Sequence, residues 1–179
     1  MKYIVLLRGI NVGGKNKLSM PELGSAFEAH GFTEVSTYIN SGNVLFSSGE
    51  TDILALKEKC QSLIQSSFQM DIPVAVISAQ ALTDALAHAP PWWNAGKESK
   101  HNAIFVIPPA TPEDVCVQVG EIKPEYEQVD VYGPVIFWSA PMKTLSRTRW
   151  SKVVGSAAYG SITIRNANTA LKLAELAGI

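Results

Sequence analysis

The chain has 179 residues, 46% of them hydrophobic and 17% charged, with a formal net charge of −1. That length and apolar content exclude a disordered chain and suit one or two small domains. No apolar run approaches the roughly 20 residues that span a bilayer, and a near-zero net charge speaks against an overall basic nucleic-acid binder.

Lys2–Arg8 predicts a first strand, largely apolar on both faces. The opening MKYIVLLRGI reaches Arg8 without the small-residue cleavage site of a signal peptide. Ser19-Met-Pro-Glu22 has capping-box spacing with proline in the first turn. A helix is expected from there to about His30, with Met20, Leu23, Ala26 and Phe27 on one face and Gly31 as its stop. Glu34–Asn40 alternates as a strand, and Ser41-Gly42-Asn43 turns it back into Val44–Ser47 as a hairpin. Thr51 is placed as the cap of a second helix with the stripe Ile53, Leu56, Cys60, Leu63, Ile64 and Phe68. Asp71–Ile77, with Pro73 near its start, is a closing strand. The order is β-α-β-β-α-β, the split unit of ferredoxin-like domains.

The second half repeats this order. A connecting helix at about Ala79–His88 and a loop lead to the strand Asn102–Ile107. Thr111-Pro-Glu-Asp114 opens a helix with an N-cap, a proline and two acids in its first turn. Gln128–Tyr132 and Val135–Trp138 form a hairpin about Gly133-Pro134. A helix within Thr144–Ala158 and a strand at Ser161–Ile164 complete the unit, and Asn168 is expected to cap a terminal helix. The expectation is an α+β protein of two tandem ferredoxin-like subdomains, 1–78 and 102–179, joined by the helix and Trp loop of 79–101. An extra C-terminal helix ends the second.

Charge is distributed unevenly. Residues 1–21 carry Lys2, Arg8, Lys15 and Lys17 and no acid; Val131–Ala174 carries six bases, again with no acid. Such segregation is either a solvated face or an electropositive site for a negatively charged partner.

The stretch with most chemistry is Arg8–Lys17, a basic loop containing Gly9, Gly13 and Gly14 ahead of the helix start at Ser19. Donor-rich loops before helix N-termini bind anions. Gly9 to Lys15 matches the first seven positions of a P-loop, but Asn16 stands where Ser or Thr holds magnesium. The helix also starts too late, and the hairpin order lacks parallel βαβ units. That leaves a turn requiring glycines or a generic anion cradle built from Arg8, Asn11, Gly13, Gly14, Lys15 and Lys17. Arg147, Arg149, Lys152 and Arg165 are the matching candidates on a basic C-terminal face, with Trp150 either stacking on a base or in the core. Trp92 and Trp93 are either exposed stacking platforms or a plug over a small core.

Catalytic and metal signatures are sparse. His30 and His88 fall near helix C-termini; only His101 lies in a polar loop, and Ser41 lacks a nucleophile elbow or a local base. Three His and two isolated Cys, with no H-x-x-H or C-x-x-C, support no metal site, and no cofactor is expected. Cys60 and Cys116 read as free buried thiols of a cytoplasmic protein.

RGINVGGKNK, TYINSGNVLF, PWW followed by KHNAIF, and TIRNANTALKLAEL resemble the bacterial family catalogued as domain of unknown function 1697. The resemblance is collinear along essentially the whole chain. It implies an α+β structure of two ferredoxin-like subdomains and brings no activity, cofactor or catalytic set. Three functions compete on the residues. One is binding of a phosphorylated small molecule, nucleotide or nucleic acid; another is a small-molecule hydrolase or transferase using His101 and Ser41. The third is an interaction scaffold docking through the Trp loop.

Overall fold

The computed structural model describes residues 1–178. Among these described residues, two four-stranded antiparallel sheets and five α-helices make up an α+β fold. The chain divides into two compact units. One comprises Met1–Gln80 with the chain from Glu175, the other Ala81–Ala174.

The first unit runs β1 (Lys2–Leu7), α1 (Met20–Ala29), β2 (Thr33–Tyr38), β3 (Asn43–Ser47), α2 (Ile53–Phe68) and β4 (Val74–Ser78). Its sheet order is β2-β3-β1-β4. Tyr3, Val5 and Leu7 alternate toward a core they share with Val44, Phe46, Leu23, Phe27 and the Leu56–Ile64 stripe of α2. Phe27, Phe32 and Phe46 meet there, with Phe32 and Phe46 ring centroids 4.5 Å apart. Burying each such ring contributes roughly 2–3 kcal/mol. Ile4 and Leu6, on the other face of β1, are also fully buried, as a strand apolar on both sides requires. Cys60 is enclosed in this core, and burial pushes its thiol up to about 12. Cys116 is half-buried rather than enclosed.

Both helix starts follow from capping chemistry. Ser19 Oγ accepts the Glu22 amide at 3.4 Å, so α1 begins where the sequence places it. The cap of α2 is Asp52, not Thr51: its carboxylate accepts the Leu54 amide at 2.8 Å. Glu50 in turn accepts the Thr51 and Asp52 amides at 2.8 and 2.9 Å. A carboxylate is the stronger acceptor and also complements the helix dipole.

The other elements are α3 (Ala79–Ala87), β5 (Ser99–Val106), α4 (Pro112–Val119), β6 (Gln128–Tyr132), β7 (Val135–Pro141), β8 (Ile162–Asn166) and α5 (Ala167–Ala177). Their sheet order is β6-β7-β5-β8, the order of the first sheet when each set of strands is renumbered from its start. Ile104, Ile136, Trp138 and Val115 centre the core. The Thr111 cap is a full capping box, with Thr111 Oγ1 accepting the Asp114 amide and the Asp114 carboxylate accepting the Thr111 amide. That bonding holds the exposed Asp114 carboxyl below its ordinary range. At α5 the Thr169 amide donates to Asn166 Oδ1 at 2.8 Å, so Asn166 rather than Asn168 is the cap.

The second unit departs from expectation between β7 and β8. The α-helix expected within Thr144–Ala158 is absent. Its place is taken by three 3-10 stretches, Met142–Arg147, Trp150–Gly155 and Ala157–Ser161. Extended residues at Thr148 and Ser156 separate them. Thr148 Oγ1 donates to the Leu145 carbonyl and accepts the Ser151 amide, while Ser156 Oγ donates to the Val153 carbonyl. Short hydroxylated side chains thus take over groups that an α-helix would pair along its backbone. Gly155 further weakens any helix there.

Candidate functional site

The glycine loop folds as a small hairpin. Gly13 and Gly14 sit at φ +59° and +74°, with the Lys15 amide donating to the Val12 carbonyl at 3.1 Å. Two consecutive left-handed residues closing such a pair make a type I′ turn, which glycine fits without steric cost. A Cβ at either glycine would meet nothing within 4 Å, so backbone conformation alone selects glycine here. Among the described residues no acceptor is bonded to the Gly13 or Gly14 amide.

Two asparagines lock the loop. Asn11 Nδ2 donates to the Leu18 and Asn40 carbonyls, both at 2.9 Å, and its Oδ1 accepts the Leu18 amide at 2.8 Å. Asn16 Nδ2 donates to the Gly9 carbonyl at 3.1 Å. Asn16 therefore ties the hairpin base, which explains asparagine at a position a P-loop gives to a magnesium ligand. Asn11 spends both amide hydrogens on the chain, so it braces the loop rather than presenting a donor to an anion.

Beside this hairpin lies an open cleft of about 640 Å³ lined by Asn11, Gly14, Lys17, the α1 start at Leu18–Pro21, and Asn40. Lys17 is exposed at its wall. Arg8, Gly13 and Lys15 are not among the lining residues; Lys15 is exposed and Arg8 half-buried. The Ile39–Gly42 turn brings Asn40 to the cleft, and Asn43 Nδ2 fixes that turn by donating to the Tyr38 carbonyl and Ser41 Oγ. Ser41 Oγ is thus engaged within its own turn.

Of the basic C-terminal set, Arg147, Arg149 and Lys152 are exposed, whereas Arg165 is withdrawn from the surface. Arg165 is only 7% exposed on β8 and donates to Thr163 Oγ1 and the Ile164 carbonyl, both at 2.9 Å. Burial lowers its guanidinium to about 10. Arg149 Nε donates to the Glu121 carbonyl, and Arg147 lies over the Tyr126 ring while donating to its hydroxyl. Lys152 is exposed. Trp150 is in the core.

The Trp pair separates. Trp93 is 7% exposed, donates from Nε1 to the Asn102 carbonyl at 2.8 Å and packs edge-on against Phe137. It is a core side chain and has no face for stacking. Trp92 is half-buried and lines a second cleft, of about 280 Å³, with Tyr126, Gln128, His101 and Ser139. His101, Ser139 and Gln128 are direct cross-strand neighbours on β5, β7 and β6. His101 Nδ1 is 2.6 Å from Ser139 Oγ, and its Nε2 is 2.9 Å from the Gly96 carbonyl. Sequence reading picked out His101 and missed Ser139. A serine inside the otherwise apolar run Val135–Ala140 was the available signal.

Beneath this cleft Glu127 is 2% exposed and its carboxylate accepts four N–H groups. Oε1 takes the Lys123 and Arg149 amides, and Oε2 takes the Trp150 amide and the Trp138 indole. Four donors satisfy a buried carboxylate, and they tie the irregular 3-10 segment to β7. His30 and His88 bond carbonyls of their own helices, and His88 also stacks on Tyr132. No cluster of three or more His, Cys, Asp or Glu able to hold a metal occurs among the described residues, nor does any helix there have the length and apolarity to cross a membrane.

Fold and clefts define an α+β protein of two four-stranded antiparallel sheets with a glycine-hairpin cleft and a separate polar cleft. The chain belongs to the family described as protein of unknown function (DUF1697), whose model matches residues 1–137. It is similar in structure to the conserved bacterial protein SP0830 from Streptococcus pneumoniae, at 29% identity and a TM-score of 0.88, covering 98% of each chain. An unknown protein from Galdieria sulphuraria aligns over 93% of this chain and 98% of its own, at 12% identity and a TM-score of 0.26. No curated protein matches.

Proposed function

We propose that the protein binds a phosphorylated small molecule in the cleft beside the Gly13-Gly14 hairpin. The observation that carries this reading is the Gly14 amide, left without an acceptor at the cleft next to the start of α1 and the exposed Lys17. Amides on a left-handed turn, a helix N-terminus and an ammonium are three sources of positive potential for one anion. A space of about 640 Å³ accommodates a ligand of nucleotide size. Among the described residues Lys17 is the one cation lining that cleft, which favours a small ligand over a nucleic acid, whose successive phosphates need several.

The same reading takes the two sheets as copies of one ferredoxin-like unit, 1–78 and 102–179, joined by 79–101. Their equal strand order supports it, with the second helix of the later copy reduced to 3-10 turns. The two thiols without disulfide partners and the pneumococcal relative support a bacterial cytoplasmic setting.

Titration with inorganic phosphate and then with adenosine monophosphate, followed by amide NMR, tests the binding. The Gly14 and Lys17 amides should shift saturably, and Lys17→Glu should weaken binding at least about tenfold. Unmoved loop amides with either ligand in large excess over the protein, or equal affinity in Lys17→Glu, sink the reading.

A further inference from the structure

A second site lies on the other sheet, independent of the anion cleft. We propose that Ser139 and His101 form a nucleophile and general-base pair, with Gln128 as oxyanion donor, that hydrolyses small esters in the Trp92–Tyr126 cleft. The polarity of the hydrogen bonds carries the assignment. A carbonyl only accepts, so the Gly96 oxygen at 2.9 Å requires the proton of a neutral imidazole to sit on Nε2. Nδ1 is then the basic nitrogen, and at 2.6 Å it accepts the Ser139 hydroxyl proton. Nucleophile, base and a third group that orients the base are the arrangement that activates a serine.

Strand register supplies the rest. His101 and Gln128 are the direct partners of Ser139 on its two sides, so the three side chains stand in a row on one sheet face. Gln128 is exposed and lines the same cleft, on the strand across Ser139 from His101. Ser139 is 4% exposed, as the floor of a cleft rather than its rim. Trp92 and Tyr126 give that cleft two aromatic walls, and Arg147 holds the Tyr126 ring in place. Its volume of about 280 Å³ fits an ester of a short acid with an apolar or aromatic alcohol portion.

In the acylation step Ser139 Oγ bonds to the ester carbonyl carbon while its proton passes to His101 Nδ1. The intermediate collapses by breaking the bond between that carbon and the alkoxy oxygen, which leaves as an alcohol with the proton from His101. Water then attacks the acyl-serine with the same proton transfers, releasing a carboxylic acid and restoring the hydroxyl. Gln128 donates to the oxyanion in both steps.

The test is labelling of the intact protein with a fluorophosphonate, mapped by mass spectrometry, alongside p-nitrophenyl acetate and p-nitrophenyl butyrate hydrolysis. The expected result is a stoichiometric adduct on Ser139 and hydrolysis above the protein-free rate. Ser139→Ala should abolish both, His101→Gln should lower hydrolysis at least about 100-fold, and Gln128→Ala about tenfold. Labelling and turnover of the unmutated protein need no variant to fold. No adduct, an adduct on another serine, or equal hydrolysis by folded Ser139→Ala overturns the proposal and leaves His101–Ser139 a cross-strand structural pair.

Discussion

Gly42 is the residue where space rather than turn chemistry is decisive. Its φ is +90°, and a Cβ there would lie 2.6 Å from Ile10 Cδ1 and 2.9 Å from Leu7 Cβ. The isoleucine tip can swing aside, but Leu7 Cβ is fixed to the backbone of β1. Gly42→Ala should therefore cost roughly 2–4 kcal/mol, from a left-handed alanine plus overpacking, read as a lower urea midpoint with unchanged slope. Stability within 0.5 kcal/mol of wild type, a figure of about the size of an ordinary surface substitution, would contradict this packing. Gly13 and Gly14 differ, because nothing crowds them. Sequence alone gave all three the same turn-forming role; it could not separate a glycine needed for its φ from one needed for its missing side chain.

At the scale of elements, the segment between β7 and β8 shows how one side chain substitutes for a regular helix. Glu127 gathers amides from residues 123, 149 and 150 and the Trp138 indole into one carboxylate. Glu127→Gln keeps the shape but turns one oxygen into a donor, and in either orientation that donor faces two N–H groups. A loss of about 3 kcal/mol is expected, with Trp fluorescence reporting the rearranged indoles. An unchanged melting temperature would show that this bonding contributes nothing. Periodicity could place Trp150 in a helix but not count the Ser and Thr bonds that break that helix. Helix starts were more legible, because capping is local: Ser19 and Thr111 stand where the sequence puts them, while Thr51 and Asn168 lost to Asp52 and Asn166 one and two residues away.

For the molecule as a whole, net charge is a poor guide to the site. The acid-free stretch after Val131 keeps Arg147, Arg149 and Lys152 exposed but buries Arg165, and Arg147 and Arg149 are bonded to Tyr126 and Glu121. The glycine-hairpin cleft is lined entirely by residues 11–40. Because Arg149 does not line that cleft, charge reversal there should leave phosphate affinity within about twofold of wild type at about 0.15 M salt. A loss matching that of Lys17→Glu would mean the ligand spans more than this cleft.

What the sequence determined by itself was the order of elements, most strand and helix spans, the core stripes and the glycine turn. These depend on periodicity, capping and φ preference, which act over a few residues. Tertiary structure alone decided that Trp93 is core and Trp92 a cleft wall, that Arg165 is buried, and that Ser139 lies beside His101, 38 residues away. Those outcomes follow from strand register, and register is fixed by the packing of whole sheets rather than by any residue's neighbours in the chain.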